Sequence, residues 1–221
     1  LAEVLQNDLG TIYVENQVRA PFAPTAEQAG QRSLANMILG LITRLDGGTE
    51  ARKQFETADN MTSTLGALGA LLSCEYGVNA SQQFYETWKH ERLVIDKWFS
   101  IQMTHAKPEE ALDVVDRLSA HPDFSIKNPN RFRSVFGPFA GHAGFHAPDG
   151  RGYDTLADWL IKLDKINPQP TARSCSAFDS WRIFTPEHQT QIQTAMQRIL
   201  DQEDLSRDTR EMLTRILGED G

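Results

Sequence analysis

The stretch TAEQAGQRSLANMILGLITRL at residues 25–45 decides the fold class. Its apolar residues Leu34, Met37, Ile38, Leu41, Ile42 and Leu45 recur at three- and four-residue steps, the period of one helix face. Thr25-Ala26-Glu27-Gln28 writes the start of that helix: the Thr25 hydroxyl can cap the first turn and the Gln28 side chain can reach back. The same period continues along the chain. Ile192, Ala195, Met196, Ile199 and Leu200 form a second stripe, opened by Thr185 with Pro186 at the first helical position. Met212, Leu213, Ile216 and Leu217 form the last, with Ser206 as its cap and Gly218 as its stop. Strand-like alternation is nearly absent, and the spacing predicts roughly eleven or twelve helices joined by short turns.

Turn signals fall at Pro21–Pro24, Asp46-Gly47-Gly48, Ala58–Asn60, Gly77–Asn79, Lys107-Pro108, His121-Pro122, Gly141–Gly152 and Asn167-Pro168. Helix pairs therefore recur at the roughly forty-residue spacing of HEAT or armadillo units. The expected fold is an all-α, superhelical helix-pair (armadillo/HEAT-like) solenoid. No Ser/Gly-rich linker interrupts it, so a single domain over residues 1–221 is expected. The segment Gly137–Tyr153 departs from the rhythm. Its five glycines and two prolines should break a helix, while Phe139, Phe145 and Tyr153 should pin a loop to the body.

With 221 residues the chain can bury a substantial core. No run approaches the eighteen or so apolar residues needed to span a bilayer, and no signal peptide opens the sequence. The first residues, Leu1, Val4, Leu5, Leu9 and Ile12, already follow a helical pattern, as in a piece of something longer. A net charge of −8 argues against nucleic acid, because phosphate neutralisation needs a basic patch. Two cysteines, Cys74 and Cys175, are too few for a disulfide framework or a thiolate metal site, and both read as small buried apolar residues. A cytoplasmic location fits this composition.

Asn128-Pro129-Asn130-Arg131-Phe132-Arg133-Ser134 is followed by Phe145-His146, Asp149-Gly150-Arg151-Gly152-Tyr153 and Asn167-Pro168-Gln169. Upstream, in order, lie Asn60-Met61-Thr62, Phe84-Tyr85-x-x-Trp88 and Leu93–Phe99. Together these motifs resemble the C-terminal domain of bacterial aminopeptidase N, a zinc metallopeptidase of the thermolysin-like clan. The resemblance implies an all-helical superhelix that closes over a separate catalytic domain and controls peptide access. It also implies that the zinc, its ligands and the general base belong to that catalytic domain. No His-Glu-x-x-His occurs in this chain, so the chain alone is expected to be inactive and to hold no cofactor. The expected partners are the catalytic domain of the parent and peptide substrates. A different class of function, a free-standing helical-repeat scaffold for proteins or peptides, stays open.

His142-Ala143-Gly144-Phe145-His146 has the i,i+4 spacing of a helical zinc site. Ala143 stands where a water-activating Glu would be, turn residues flank both histidines and no third ligand follows, so His146 is expected to bond its own loop instead. Asp96 and Lys97 lie in the otherwise apolar run Leu93–Phe99, where a buried pair to neighbouring helices is the first reading. Arg131 and Arg173 follow the helix-start signals Asn128-Pro129 and Asn167-Pro168. Cations there oppose the positive end of the helix dipole, so another interaction should favour them. It is either a structural bond to carbonyls or carboxylates, or a ligand contact. The resemblance implies the ligand contact, with Arg131 and Arg173 facing the chamber and meeting the peptide's carboxylate end. Pro138, Pro170 and Ser174-Cys175-Ser176 depart from the family's pattern, and Pro170 bears most on where Arg173 points.

Overall fold

The structure is a computed structural model and describes residues 4–218. Among them there are twelve α-helices, four short 3-10 segments and no strand. The helices cluster in two compact units that divide between His105 and Ala106.

The first unit holds α1 (Gln6–Glu15), α2 (Ala26–Asp46), α3 (Thr49–Thr57), α4 (Met61–Leu71), α5 (Gly77–Trp88) and α6 (Arg92–Thr104). Leu1, which opens the expected first stripe, lies outside the described residues. α2 begins as its sequence requires: the Gln28 amide donates to Thr25 Oγ1 at 3.3 Å. The Gln28 side chain reaches further back than a capping box would, accepting from the Ala23 amide at 2.8 Å. The helix ends on Gly47 and Gly48, both at positive φ, where a side chain would strain the backbone. α2 packs on α1, α3 and α4, and α4 packs in turn on α3, α5 and α6. The buried face of α2 is Arg32, Ala35, Ile38, Leu39 and Thr43, a face rotated from the expected stripe. Leu34, Leu41, Ile42 and Leu45 are only half-buried, and Met37 is 61 % exposed. The reason is that α2 carries apolar residues on two sides, and its neighbours in this unit cover one of them.

Two expectations fail here. Gly77–Asn79 is no turn; it opens α5, and the chain reverses at 72–76 instead. A side chain at Gly77 would meet the Leu71 carbonyl at 2.8 Å, so this glycine serves a close approach of backbone. The expected burial of Asp96 and Lys97 does not hold either: Lys97 is exposed and Asp96 half-buried, because α6 buries the face of Ile95, Trp98, Phe99, Gln102 and Met103.

The second unit holds α7 (Ala111–Ser119), α8 (Pro129–Ala140), α9 (Arg151–Asp164), α10 (Pro168–Ser174), α11 (Pro186–Leu200) and α12 (Arg207–Leu217). α9 packs on α10 and α11, α12 on α10 and α11, and α7 on α8. Contrary to the reading of Gly137–Tyr153 as one loop, α8 runs through Gly137 and Pro138 to Ala140. The loop proper is 141–150 and contains a 3-10 turn, Ala143–His146. Phe139, Phe145 and Tyr153 do pin it, each fully buried. Ser206 caps α12 by accepting from the Thr209 amide at 3.3 Å, and Gly218 stops it at φ 78°.

Candidate functional site

Asn128 caps α8, its Oδ1 accepting from the amides of Asn130 at 3.1 Å and Arg131 at 3.3 Å, while Pro129 occupies the first helical position. This turn carries Arg131 into the body: its residue exposure is 6 %, and Nη1 donates to the Asp123 carbonyl. Next to it Phe124 meets the edge of Trp159 at 5.6 Å, and Phe136 stacks on Phe132 at 4.5 Å. Arg131 therefore fastens the 121–124 turn, and the aromatic cluster behind it holds the helix in place. Burial, opposed by Asp123 and reinforced by Arg131 and Arg117, pushes the His121 imidazole below its ordinary value. Arg133 points the other way, exposed, with Nη2 on Asn130 Oδ1 at 2.9 Å.

Arg173 is placed differently. α10 is only seven residues long, so a residue just inside its start is also in its last turn. The dipole there favours a cation, which corrects the expectation that Arg173 opposes it. Its side chain is exposed, and its guanidinium makes no hydrogen bond or ion pair among the described residues. Pro170 sits at the third helical position, where its missing N–H is one that no helix would use. Behind Arg173 the turn is tied by Ser174 Oγ to the Pro170 carbonyl at 2.8 Å and by Ser176 Oγ to the Arg173 carbonyl at 2.8 Å. Of the two arginines proposed from the sequence, one is thus buried and fixed and the other presents its charge to solvent.

The histidines of the 141–150 loop are committed separately. His142 Nε2 donates to the Ala106 carbonyl at 3.0 Å and its Nδ1 accepts from the Gly144 amide at 3.1 Å. His146 does not bond its own loop through its ring: Nδ1 meets the Tyr153 hydroxyl at 2.9 Å, and Phe184 stacks on it at 4.4 Å. Its carbonyl accepts from His188 Nε2 at 3.1 Å, and Thr185 Oγ1 lies 2.9 Å from His188 Nδ1. Burial, with His188 nearby, holds the His146 imidazole below its ordinary value; burial pushes the Tyr153 phenol up to about 12. The phenol is therefore protonated at neutral pH, and the direction of its bond follows the His146 tautomer. Among the described residues no group of three or more His, Cys, Asp or Glu is placed to hold a metal ion. Cys175 is fully buried, its thiol pushed up to about 12 chiefly by burial, which leaves no thiolate for chemistry near pH 7. Cys74 is only half-buried, with its thiol on the Leu71 carbonyl at 3.2 Å.

Two fastenings were not foreseen. Asp164, buried in the last turn of α9, accepts from the Ser206 amide at 2.7 Å, the Ser206 hydroxyl at 2.6 Å and the Thr209 hydroxyl at 2.5 Å. Arg182 donates to the carbonyls of Ile216 at 3.0 Å and Leu217 at 2.7 Å, closing the end of α12. A carboxylate among the apolar residues of a helix end was the available sign for Asp164; nothing local marks Arg182.

The family model described as "Domain of unknown function (DUF3458_C) ARM repeats" matches residues 1–218. The chain belongs to this family. ARM repeats in the DUF3458_C family are helical, and the described residues hold helices and no strand. The chain is also 34% identical over 225 residues to aminopeptidase N of Haemophilus influenzae, covering 98% of this chain and 25% of the relative. Against aminopeptidase N of Caulobacter vibrioides it is 34% identical over 218 residues, covering 95% of this chain and 25% of the relative. Among solved structures, Legionella pneumophila aminopeptidase A in complex with aspartic acid matches with a TM-score of 0.89 and 29% identity, over 99% of this chain and 27% of that one. The chain thus spans about a quarter of the curated relatives it matches, their C-terminal part, as the motifs around Asn128–Ser134 imply. No helix among the described residues is long and apolar enough to cross a membrane.

Proposed function

We propose that this chain is the non-catalytic C-terminal domain of a cytoplasmic zinc-dependent aminopeptidase that removes N-terminal residues from peptides. As one domain it encloses the active-site chamber and gates peptide access. The observation that carries this reading is the match of nearly the whole chain to one quarter of two aminopeptidases N. The zinc and the general base reside in the part of the parent that this chain does not include. Nothing among the described residues fits the metal: both ring nitrogens of His142 are engaged by backbone, and His146 is turned onto Tyr153.

The two arginines divide the work. Arg173, exposed and unpaired among the described residues, supplies a secondary contact to the carboxylate end of a peptide, for which a guanidinium is a two-pronged match. Arg131, buried, fixes the 121–124 turn at the start of α8 through the Asp123 carbonyl. Neither touches the scissile bond; they orient a substrate that the catalytic part cleaves. The purified chain should release no amino acid from alanyl or arginyl substrates, with or without added zinc. Reproducible zinc-dependent hydrolysis by the chain alone would overturn the reading.

A further inference from the structure

The half-covered side of α2 opens on a groove of about 440 Å³, lined from α2, α4 and the end of α6. Glycine keeps its floor low. A methyl group on Gly66 would stand 2.2 Å from Asn36 Cγ, and one on Gly69 would stand 2.6 Å from His105 Nε2, so both side chains lie close against helix backbone. Asn36 is fixed there, its Oδ1 accepting from Gln54 Nε2 at 2.9 Å and its Nδ2 donating to the Thr62 carbonyl at 3.2 Å. Met37, Leu41 and Leu65 add apolar surface that nothing in the unit covers fully. The volume is within the range that seats a small ligand or a short stretch of peptide.

Charge says what the groove can take. The chain has 30 acidic residues against 22 basic ones, yet no Asp or Glu lines this groove. Arg44 does line it, exposed and without an ion pair or side-chain hydrogen bond among the described residues. Its place in the last turn of α2 suits the helix dipole, but that does not account for the missing carboxylates around it. We propose that this groove binds a short free apolar peptide that carries a carboxylate. The peptide's apolar side chains lie against Met37, Leu41 and Leu65, and its carboxylate meets the Arg44 guanidinium. This goes beyond the aminopeptidase reading and does not depend on it.

The test is a calorimetric titration of the 221-residue chain with an N-acetylated tetrapeptide of leucine, phenylalanine, leucine and glutamate. Saturable one-to-one binding is expected. Arg44→Ala should weaken it roughly tenfold, the loss of one charge-assisted contact, and Met37→Glu by a similar factor. The amidated analogue with glutamine in place of glutamate should bind the wild-type chain as weakly as the acidic peptide binds Arg44→Ala. Arg207→Ala, an exposed change on α12, should leave binding unchanged. Arg44 and Met37 are exposed, so both variants keep the buried core intact, and circular dichroism checks that they are folded. Absence of saturable binding to the folded chain overturns the proposal. So does binding that ignores both substitutions, or a concentration-dependent dimer, abolished by Met37→Glu, in a chain that binds no peptide.

Discussion

Removing the Arg131 side chain takes away the buried guanidinium that donates to the Asp123 carbonyl. Losing a part-buried bond from a charged donor costs about 1.5–3 kcal/mol, so Arg131→Ala should lower the urea midpoint by a clearly measurable amount. Arg173→Ala should change stability by no more than about 0.5 kcal/mol, since its side chain is exposed and unpaired among the described residues. Equal effects of the two changes on the urea midpoint would contradict this division. Both arginines were legible as candidates because each follows an Asn-Pro helix start. Which one is buried was not legible, because burial of Arg131 depends on the fold of the 121–124 turn. The aim of Arg173 depends on a helix that stops after seven residues.

At the scale of the element, Gly152 and Asp164 show where backbone and side chain decide packing. A Cβ at Gly152 would lie 2.3 Å from the Phe145 carbonyl oxygen, a backbone atom that the buried Phe145 ring keeps from moving. Gly152→Ala should therefore destabilise the chain by about 1–3 kcal/mol through overpacking, despite the better helix propensity of alanine. A gain in thermal midpoint would refute that placement of α9 against the 3-10 turn. Asp164→Ala removes three bonds to the start of α12 and should cost at least about 2 kcal/mol by chemical denaturation. α8 teaches the opposite lesson about local rules. Proline inside a helix costs about 3 kcal/mol, which made Gly137-Pro138 read as a stop. Yet Phe132, Val135, Phe136 and Phe139 are all buried on one face, each worth about 1.5–3 kcal/mol, and together they outweigh the break. Capping and stopping signals such as Thr25, Ser206 and Gly218 were legible because they act within a few residues. Tertiary burial is not a local signal.

Over the whole molecule, several shifted groups bound the pH range of stability. Burial holds the imidazoles of His146, His121 and His105 below their ordinary value of 6.5; His105 is open to solvent on one side and weighs least. The unfolded chain therefore binds more protons near and below pH 6.5, and stability falls as pH drops through that value. Tyr153 and Cys175 are raised to about 12 from 10.0 and 9.0, so their contribution is complete below pH 9 and is lost as pH rises toward 12. Thermal midpoints measured from pH 5 to 11 should form a plateau that drops at both ends, and His146→Gln should soften the acid edge. A midpoint that rises on acidification would contradict the buried histidines. The all-α class and the helix-pair rhythm were legible at this scale from period alone, and the aminopeptidase relation from motifs around Asn128–Ser134. The groove beside α2 was not, because Met37 and Leu41 read as core in a sequence that carries apolar residues on two sides of one helix. If this chain completes an aminopeptidase whose chemistry lies elsewhere, co-expression with the remainder of the parent shows it. Hydrolysis of alanyl and arginyl substrates by the remainder should be restored or reshaped when this chain is added, and Arg173→Ala should blunt the effect on peptides with a free carboxylate. A chain that neither binds the remainder nor changes its activity would contradict the account.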